Sequence, residues 1–397
     1  MERKKNSLKR IAAAFLAVTM LGCCMTGCGS SDKNTADTDT SSKQSVDTDT
    51  SSKQSVDTGT STEQSVGTDT PTEKSAPQYG NALVSIGNQN EDYTYDKYED
   101  HIVITKYDGS DTEVTIPNTI DNLPVTEIGK NEGYAFKDCD NITNIMIPDS
   151  VIGIGYYAFY GCTSLTSVTI PDSVTSIGYG AFEKCSSLVN ITIPDSVTSV
   201  GMCAFNECTS LTNIAIPDSI TSIGSGAFND TPWYDNQPDG DVYIGKVYYH
   251  YKGEMPENTS IVIRDGTKEI AGEAFYLCSR LTSITIPDSV ISIGNYAFSV
   301  CKSLTSITIP DSVTSIGYGA FVKCSSLTSV TIPDSVTSID FTTFYGCTSL
   351  TSVTIPDSVT SIGEKAFYEC DKLTIISKAG SEAERYAKVN GISFRAE

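Results

Sequence analysis

The chain has 397 residues, with 27 Lys or Arg against 49 Asp or Glu and a formal net charge of -22 at pH 7. This acidity argues against nucleic acid and against anionic lipid headgroups as partners, because both attract basic surfaces. Hydrophobic residues make up 39% of the chain, which is enough for a packed core.

The first 27 residues have the pattern of an export signal. A basic N-terminal stretch precedes an apolar run from Ile11 to Gly22, which is too short to span a bilayer. The following residues, MTGCGSS, resemble a bacterial lipoprotein cleavage box, in which a small residue precedes the cysteine and a polar stretch follows it. Cys28 is therefore the predicted lipidated residue, and Cys23 is the alternative. Two or more acyl chains would anchor the exported protein stably at the outer face of the bacterial cell membrane.

Residues 28–78 form a tract of low complexity that is rich in Ser, Thr and Asp. The ten-residue unit SSKQSVDTDT returns in it as SSKQSVDTGT and STEQSVGTDT. With almost no apolar residues, such a tract cannot compensate for the entropy lost on ordering, so the sequence predicts disorder. It would hold the rest of the chain away from the membrane, either as a stalk through a cell wall or as a neutral spacer.

A 23-residue unit occupies most of the remaining chain. The copy from Ile170 to Thr192 reads IPDSVTSIGYGAFEKCSSLVNIT, and the next copy starts at once at Ile193. A looser copy with eight extra residues starts at Ile116. A fixed period of this length is typical of a repeat solenoid. We therefore predict a mainly β solenoid with coils of about 23 residues, short strands and single helical turns, capped at both ends.

Alternation within each unit separates inward from outward side chains. In the copy that starts at Ile147, Val168 points inward while Ser167 and Thr169 point outward. Pro171 then ends the strand because it has no N–H to donate. The phenylalanine of each unit would stack into one continuous aromatic spine, which we interpret as structural. Besides Phe136, its members are Phe159, Phe182, Phe205, Phe228, Phe275, Phe298, Phe321, Phe344 and Phe367.

These patterns divide the chain into seven regions. They are a signal peptide at 1–27, a stalk at 28–78, an N-terminal β cap at 79–115, repeats at 116–228, an aromatic hairpin insertion at 229–262, repeats at 263–376 and a C-terminal cap at 377–397. Ser381 and Glu384 form a capping box that would open a short helix in the last region, and Gly391 would end it.

The unit IPDSVTSIGxxAFxxCxSLTSVT resembles the BspA-like leucine-rich repeat of bacterial surface proteins, over about residues 116–376. The insertion from Pro232 to Gly253 is also similar to one that is common in that family. The resemblance implies adhesion to host proteins and other cells, and it carries over no catalytic residues. Departures from the unit include Ala271 and Asp340 in place of the glycine, which suggests that this position does not require a positive φ.

Two ladders of chemically active side chains are interpreted as structural. Nine cysteines, from Cys139 to Cys370, share one repeat position. Coils about 4.8 Å apart are too distant for a disulfide, whose Cβ atoms lie about 3.8 Å apart, so we predict buried free thiols. The aspartate of each IPDS turn offers one carboxylate per coil, which favours turn capping over calcium binding. We predict no metal site and no cofactor.

Two surfaces are candidates for binding. One is the polar strand face, which could recognise a protein or a glycan or could be soluble filler. Its residues are Ser167, Thr169, Asn190, Thr192, Asn213, Ser283, Thr285, Ser306, Thr308, Ser329 and Thr331. The other is the insertion, whose aromatic residues could serve as interaction anchors or could instead patch the broken ladder. They are Trp233, Tyr234, Tyr243, Tyr248, Tyr249 and Tyr251.

The sequence offers little basis for catalysis. His101 and His250 are the two histidines, and neither lies beside a nucleophile motif or a phosphate-binding glycine pattern. We therefore predict a monomeric, non-enzymatic surface protein, anchored only by its N-terminal lipid, that binds extracellular host or bacterial proteins through its solenoid. The alternative is a glycan-binding or polysaccharide-binding module that uses the aromatic insertion.

Overall fold

The computed structural model describes residues 82–129 and 134–397. The predicted export signal, the lipidation candidates Cys23 and Cys28 and the predicted stalk lie outside the described residues. The described parts form a mainly β solenoid, as the repeat predicts.

The elements are short and follow the repeat. In chain order they are β1 (Leu83–Asn90), β2 (Tyr93–Tyr98), β3 (Ile102–Tyr107), β4 (Glu113–Thr115), β5 (Thr119–Ile120), β6 (Leu123–Ile128), β7 (Asn144–Met146), β8 (Gly153–Ile154), β9 (Ser167–Thr169), β10 (Ser176–Ile177), β11 (Asn190–Thr192), β12 (Ser199–Val200), β13 (Asn213–Ala215), β14 (Ser222–Ile223), α1 (Pro232–Asp235), β15 (Gly240–Ile244), β16 (Val247–Lys252), β17 (Thr259–Val262), β18 (Glu269–Ile270), β19 (Leu281–Thr285), β20 (Ser292–Ile293), β21 (Ser315–Ile316), β22 (Ser329–Thr331), β23 (Ser338–Ile339), β24 (Ser352–Thr354), β25 (Ser361–Ile362), β26 (Thr374–Ser377), α2 (Glu382–Asn390) and β27 (Ser393–Ala396).

Each coil has a front strand, a back strand and a turn segment. In one coil the front strand is β9, and a turn closed by the N–H of Val174 on the carbonyl of Pro171 at 3.1 Å leads to the back strand β10. The turn segment runs from Gly178 to Cys185. It is a succession of tight turns, not a helix, because its N–H groups also bond to the neighbouring coil.

Three parallel ladders hold the coils together. Back strands pair in register, as Ser176 does with Ser199, and front strands pair as Asn190 does with Asn213. The third ladder joins turn segments, where the N–H of Phe159 donates to the carbonyl of Ala181 at 2.8 Å. The core between the ladders contains the inward Ile, Val, Leu, Phe and Cys side chains.

A glycine follows most of the back strands, because neighbouring coils pack closely at this position. A Cβ on Gly178 would lie 2.7 Å from the backbone carbon of Gly155 in the preceding coil, and φ is not positive there. Ala271 occupies the same position without a positive φ, as the sequence suggests. At Asp340 the back-strand ladder is interrupted, since β21 and β23 belong to separate sheets.

The aromatic spine is not continuous, contrary to the sequence prediction. Phenylalanine rings of successive coils stack with centroids 5.1 Å apart for Phe159 and Phe182 and 5.3 Å apart for Phe344 and Phe367. The hairpin of β15 and β16 divides the spine after Phe228. The buried side chains accordingly form two clusters that meet at this hairpin.

Aromatic residues of the insertion, in α1 and in the hairpin, end one stack of Phe rings and begin the other. Trp233 packs against Phe228 with centroids 5.1 Å apart, and Tyr248 packs against Phe275 at 4.6 Å. Phe228 has no following coil, so its N–H donates to the hydroxyl of Tyr249 at 3.2 Å. The hairpin therefore acts as an internal cap.

The two ends of the solenoid are covered as well. At the N-terminal end, β2 and β3 are antiparallel strands, and Tyr107 stacks on Phe136 at 5.0 Å. At the C-terminal end, Ser381 caps α2 by accepting from the N–H of Glu384. The ring of Tyr386 on α2 covers Phe367 edge to face, with centroids 5.9 Å apart.

We expect Tyr249→Phe to destabilise the protein by about 1–3 kcal/mol, because it leaves the N–H of Phe228 buried without an acceptor. Urea unfolding followed by circular dichroism would measure the loss. The control is Tyr368→Phe, which alters an exposed ring in the last turn segment. Equal stability of the two variants would show that the Tyr249 hydroxyl does not cap the ladder.

Candidate recognition surfaces

The predicted strand face is flat, polar and uncharged. Its candidate residues are exposed except Ser283, which is half-buried and whose hydroxyl donates to that of Ser260 at 2.8 Å. Ser306 and Thr308 lie on a segment that is not assigned as a strand. Threonines beside this face bond to the coil before them, as Thr166 does to the carbonyl of Thr143 at 2.9 Å. The face therefore repeats one chemistry along the coils.

The aromatic residues of the insertion do not form an exposed platform, so this expectation is wrong. Tyr248 is 0% exposed and Tyr249 is 4% exposed, because their rings close the two Phe stacks. Tyr234 and Tyr251 are half-buried.

The side chains of Trp233 and Tyr243 also make contacts within the protein. Trp233 is half-buried against Phe228. The hydroxyl of Tyr243 accepts from the N–H of Arg264 at 2.9 Å, and the Arg264 guanidinium lies 4.5 Å from the ring centroid. The alternative interpretation of these aromatic residues, a patch over the broken ladder, agrees with this packing.

A surface that the sequence analysis missed lies along the turn segments, and we call it the turn edge. It comprises residues 134–139, 155–162, 178–185, 201–208, 224–231, 271–278, 294–301, 317–324, 340–347 and 363–370. The outward positions around the Ala-Phe pair differ from coil to coil here, whereas the strand face repeats Ser, Thr and Asn. The variable GxxAFxx positions were the signal that could have revealed it.

Near the N-terminal end the turn edge carries an aromatic cluster, which we call the tyrosine patch. Tyr134 and Tyr157 stack with centroids 5.3 Å apart, and Tyr157 meets Tyr179 edge to face at 4.8 Å. Tyr134 is 45% exposed and Tyr156 is 47% exposed. Gly180 makes room for this packing, because a Cβ there would lie 2.5 Å from the Tyr157 ring.

The second half of the chain repeats part of this arrangement. Tyr296 meets Tyr318 edge to face at 4.9 Å, and Tyr318 stacks on Phe341 at 5.5 Å. Gly319 takes the place of Gly180 beside the tyrosine ring. Exposed aromatic residues thus occur on the turn edge on both sides of the insertion.

The thiol ladder has a clear structural role. Each buried thiol donates to the carbonyl of the phenylalanine one coil earlier, as Cys185 does to Phe159 at 3.2 Å and Cys324 does to Phe298 at 3.1 Å. All ten described cysteines are free. Burial raises the pKa of Cys208 and of Cys324 to about 12, so these groups are thiols at neutral pH.

The aspartate ladder stands exposed at the IPDS turns, and the neighbouring serine makes the contact between coils. Ser173 donates its hydroxyl to the carbonyl of Val151 at 2.6 Å, and Ser196 does the same to Val174. Among the aspartates, Asp265 accepts from the N–H of Gly266 at 2.9 Å, as the predicted turn capping requires. In the part of the chain that the structure describes, no cluster of three or more His, Cys, Asp or Glu is placed to hold a metal ion.

One carboxyl group of the back-strand ladder lies at the junction of the two halves. Glu269 occupies the position that serine takes in β14 and β20, beside a groove of about 500 Å³. Burial raises its pKa to about 7, although the nearby Ser222 side chain and Ile223 backbone act in the opposite direction. The junction between the halves therefore contains a group that titrates near neutral pH.

Comparison with known proteins identifies the repeat. The family model described as a BspA type leucine rich repeat region matches residues 126–236 and 244–381 in six copies. The chain belongs to the BspA-type leucine-rich-repeat family. The unmatched residues between the two ranges fall in the hairpin insertion, where the repeat is interrupted.

Several solved structures are similar to this BspA-type protein. A leucine-rich cell surface protein from Faecalibacterium prausnitzii is 30% identical, with 78% of this chain and 98% of that chain covered and a TM-score of 0.35. A leucine-rich repeat protein from Bacteroides ovatus is 25% identical, with 78% and 99% covered and a TM-score of 0.31. Among the curated proteins compared with the chain, none matches it. Within residues 82–129 and 134–397, no helix has the length and apolar character needed to cross a membrane.

The buried thiols of the BspA-type coils should resist alkylation in the folded protein, because they are inaccessible and protonated. We expect iodoacetamide at pH 8 to leave Cys185, Cys208 and Cys324 unmodified until denaturant is added, as read by mass spectrometry of peptides. Cys139 and Cys278, which are half-buried, provide the internal comparison. Rapid labelling of the three buried thiols under native conditions would contradict this prediction.

The half-buried carboxyl of Glu269 should make stability depend on pH. Its pKa is higher in the folded protein than in the unfolded chain, so its contribution is full below about pH 4.5 and declines as the pH rises through about 7. We expect Glu269→Gln to reduce the loss of stability between pH 5 and pH 8, measured as the urea midpoint. The exposed Glu113→Gln is the control, and an unchanged pH profile for Glu269→Gln would refute the assignment.

Proposed function

We propose that this protein is a non-catalytic recognition protein of the bacterial surface that binds extracellular proteins through its turn edge. One observation carries the proposal. Coils that are nearly identical in their core and strand face differ at the turn edge, and aromatic side chains are exposed there. Membership of a surface repeat family supports the same location and a binding role.

Physical chemistry favours the turn edge over the strand face as the site of protein binding. Tyrosine is enriched among interface residues that dominate affinity, since it buries a large area and loses little conformational entropy. Tyr157 and Tyr179 are already held in place by their mutual contact, so binding a partner would cost little additional side-chain entropy. The strand face offers short hydroxyl side chains with one chemistry in every coil, which would distinguish partners poorly.

Anchoring at the cell surface is part of the proposal. Lipidation at Cys28, or alternatively at Cys23, would tether the chain outside the membrane, and residues 28–78 would set its distance from the bilayer. The solenoid would then present the turn edge along its length to macromolecules outside the cell.

Recognition of glycans is the second candidate function, and we propose the tyrosine patch as its site instead of the insertion. Exposed aromatic rings beside hydrogen-bonding groups suit both sugars and proteins. In the patch, Tyr156 is 47% exposed, whereas Tyr248 and Tyr249 of the insertion are buried.

Adhesion of protein-coated beads to matrix proteins and to other bacteria would test the proposal. The test variant combines Tyr134→Ser, Tyr156→Ser and Met202→Ser, three exposed turn-edge positions. We expect adhesion to fall on the order of ten-fold or more, because single aromatic anchors of interfaces typically contribute 1 kcal/mol or more.

The matched control changes the strand face through Asn190→Ser and Asn213→Ser. It should retain adhesion within about two-fold, since these exposed amides lie outside the aromatic surface. Adhesion of the wild type no greater than that of an unrelated acidic lipoprotein would overturn the proposed function. Loss in the strand-face variant alone would move the binding surface to the front strands.

A further inference from the structure

Next to the tyrosine patch lies Tyr160, whose ring meets that of Tyr157 edge to face at 5.4 Å. Two lysines lie near the ring of Tyr160. Lys184 donates from Nζ to the Tyr160 hydroxyl oxygen at 2.6 Å and lies 5.0 Å from the ring centroid. Nζ of Lys137 lies 5.7 Å from the same centroid and 4.5 Å from that of Tyr134. The lysines come from the coils before and after the one that carries Tyr160, so the stacking of three coils places both near its ring.

The arrangement presents hydrogen-bond donors to solvent. Since Lys184 occupies a lone pair of the phenol oxygen, the Tyr160 O–H can donate to a group outside the protein. This hydrogen bond also raises the pKa of Lys184, which keeps its ammonium group charged. Lys137 is exposed, and Lys184 and Tyr160 are half-buried.

The lysine pair is not neutralised by ion pairing. Among residues 82–129 and 134–397, no carboxylate lies within 4.0 Å of Nζ of Lys137 or Lys184. The carboxylate of Glu183 accepts from the side chain of Asn206 at 3.2 Å. Exposed Asp138 and Glu207 flank the pair at neighbouring turn positions.

We infer that Lys137, Lys184 and Tyr160 form a binding site for a single anionic group on a terminal sugar of a glycan. The inference rests on the second candidate function, recognition of glycans at the tyrosine patch, and names the class of glycan. The shared chemistry is a carboxylate or sulfate bound by charge-assisted hydrogen bonds, with the sugar ring against the neighbouring tyrosines.

The surroundings favour one charge over many. Asp138, Glu207 and the net charge of -22 repel a polyanion more strongly than a group that carries a single negative charge. Tyr134 and Tyr157, stacked at 5.3 Å beside Lys137, provide the apolar contact that a sugar ring requires. A terminal acidic sugar meets both conditions.

The chain contains a matched control for this site. Residues 317–323 read GYGAFVK, almost the same as GYGAFEK at residues 178–184. Lys323 has a φ of 56° and Lys184 a φ of 64°, so both occupy the same turn conformation. The coil before Lys323, however, has the buried Ser299 where Tyr160 stands in the patch.

Calorimetric titration of the full-length protein with lactose, sialyllactose and sulfated lactose tests the inference and separates the carboxylate from the sulfate. We expect at least one anionic sugar to bind on the order of ten-fold more tightly than lactose. Combined Lys137→Gln and Lys184→Gln should remove that preference, whereas Lys323→Gln should retain it. Tyr160→Phe, which keeps the ring and removes the hydroxyl, should reduce it. Unchanged thermal unfolding would show that the variants remain folded.

Three results would overturn the inference. They are equal affinity for lactose and both anionic sugars, an unchanged preference in the double lysine variant, and tighter binding of heparin or a sulfotyrosine peptide than of either sugar. If bead adhesion depends on the turn edge while no sugar binds, only this inference fails. If bead adhesion is also absent, the proposed function fails with it.

Discussion

The hydrogen bonds between successive turn segments are the constraint on which the rest of this solenoid depends. Seven of the ten phenylalanine N–H groups of the spine donate to an alanine carbonyl of the following coil, as Phe182 does to Ala204 at 2.8 Å, and that of Phe321 donates to Thr343. This bond sets the coil separation at which the rings stack and the thiols reach the preceding carbonyl. It also explains the small residues around it, because a Cβ on Gly178 would collide with the backbone of the coil before.

A ladder of this kind must end on a group that replaces the next coil, since an unpaired buried N–H is costly. At the insertion the hydroxyl of Tyr249 accepts from the N–H of Phe228, and at the C-terminal end the ring of Tyr386 covers Phe367. The insertion is therefore explained by termination and restart of the ladder. Tyr248 and Tyr249 are buried because their rings close the two stacks.

The fold could be predicted from sequence because the inward positions repeat and their periodicity is unambiguous. The C-terminal helix could be predicted too, since Ser381 and Glu384 are separated by the spacing of a capping box. The interruption of the aromatic spine could not, because it depends on how the rings of β16 pack. The cluster around Tyr160 was also hidden, since Lys137 and Lys184 become neighbours only when coils stack.

Stability thus depends on the inward positions of the repeat, whereas the proposed recognition uses outward positions of the turn edge. An inward change disturbs two neighbouring coils, whereas an outward change on the turn edge leaves the ladder bonds intact, because those bonds use backbone groups. The edge-to-face tyrosine pair shows this freedom, since it recurs at 4.8 Å between Tyr157 and Tyr179 and at 4.9 Å between Tyr296 and Tyr318. Only the first pair lies beside Tyr160 and its two lysines. Coils with the same inward residues can therefore present different outward side chains on the two sides of the insertion.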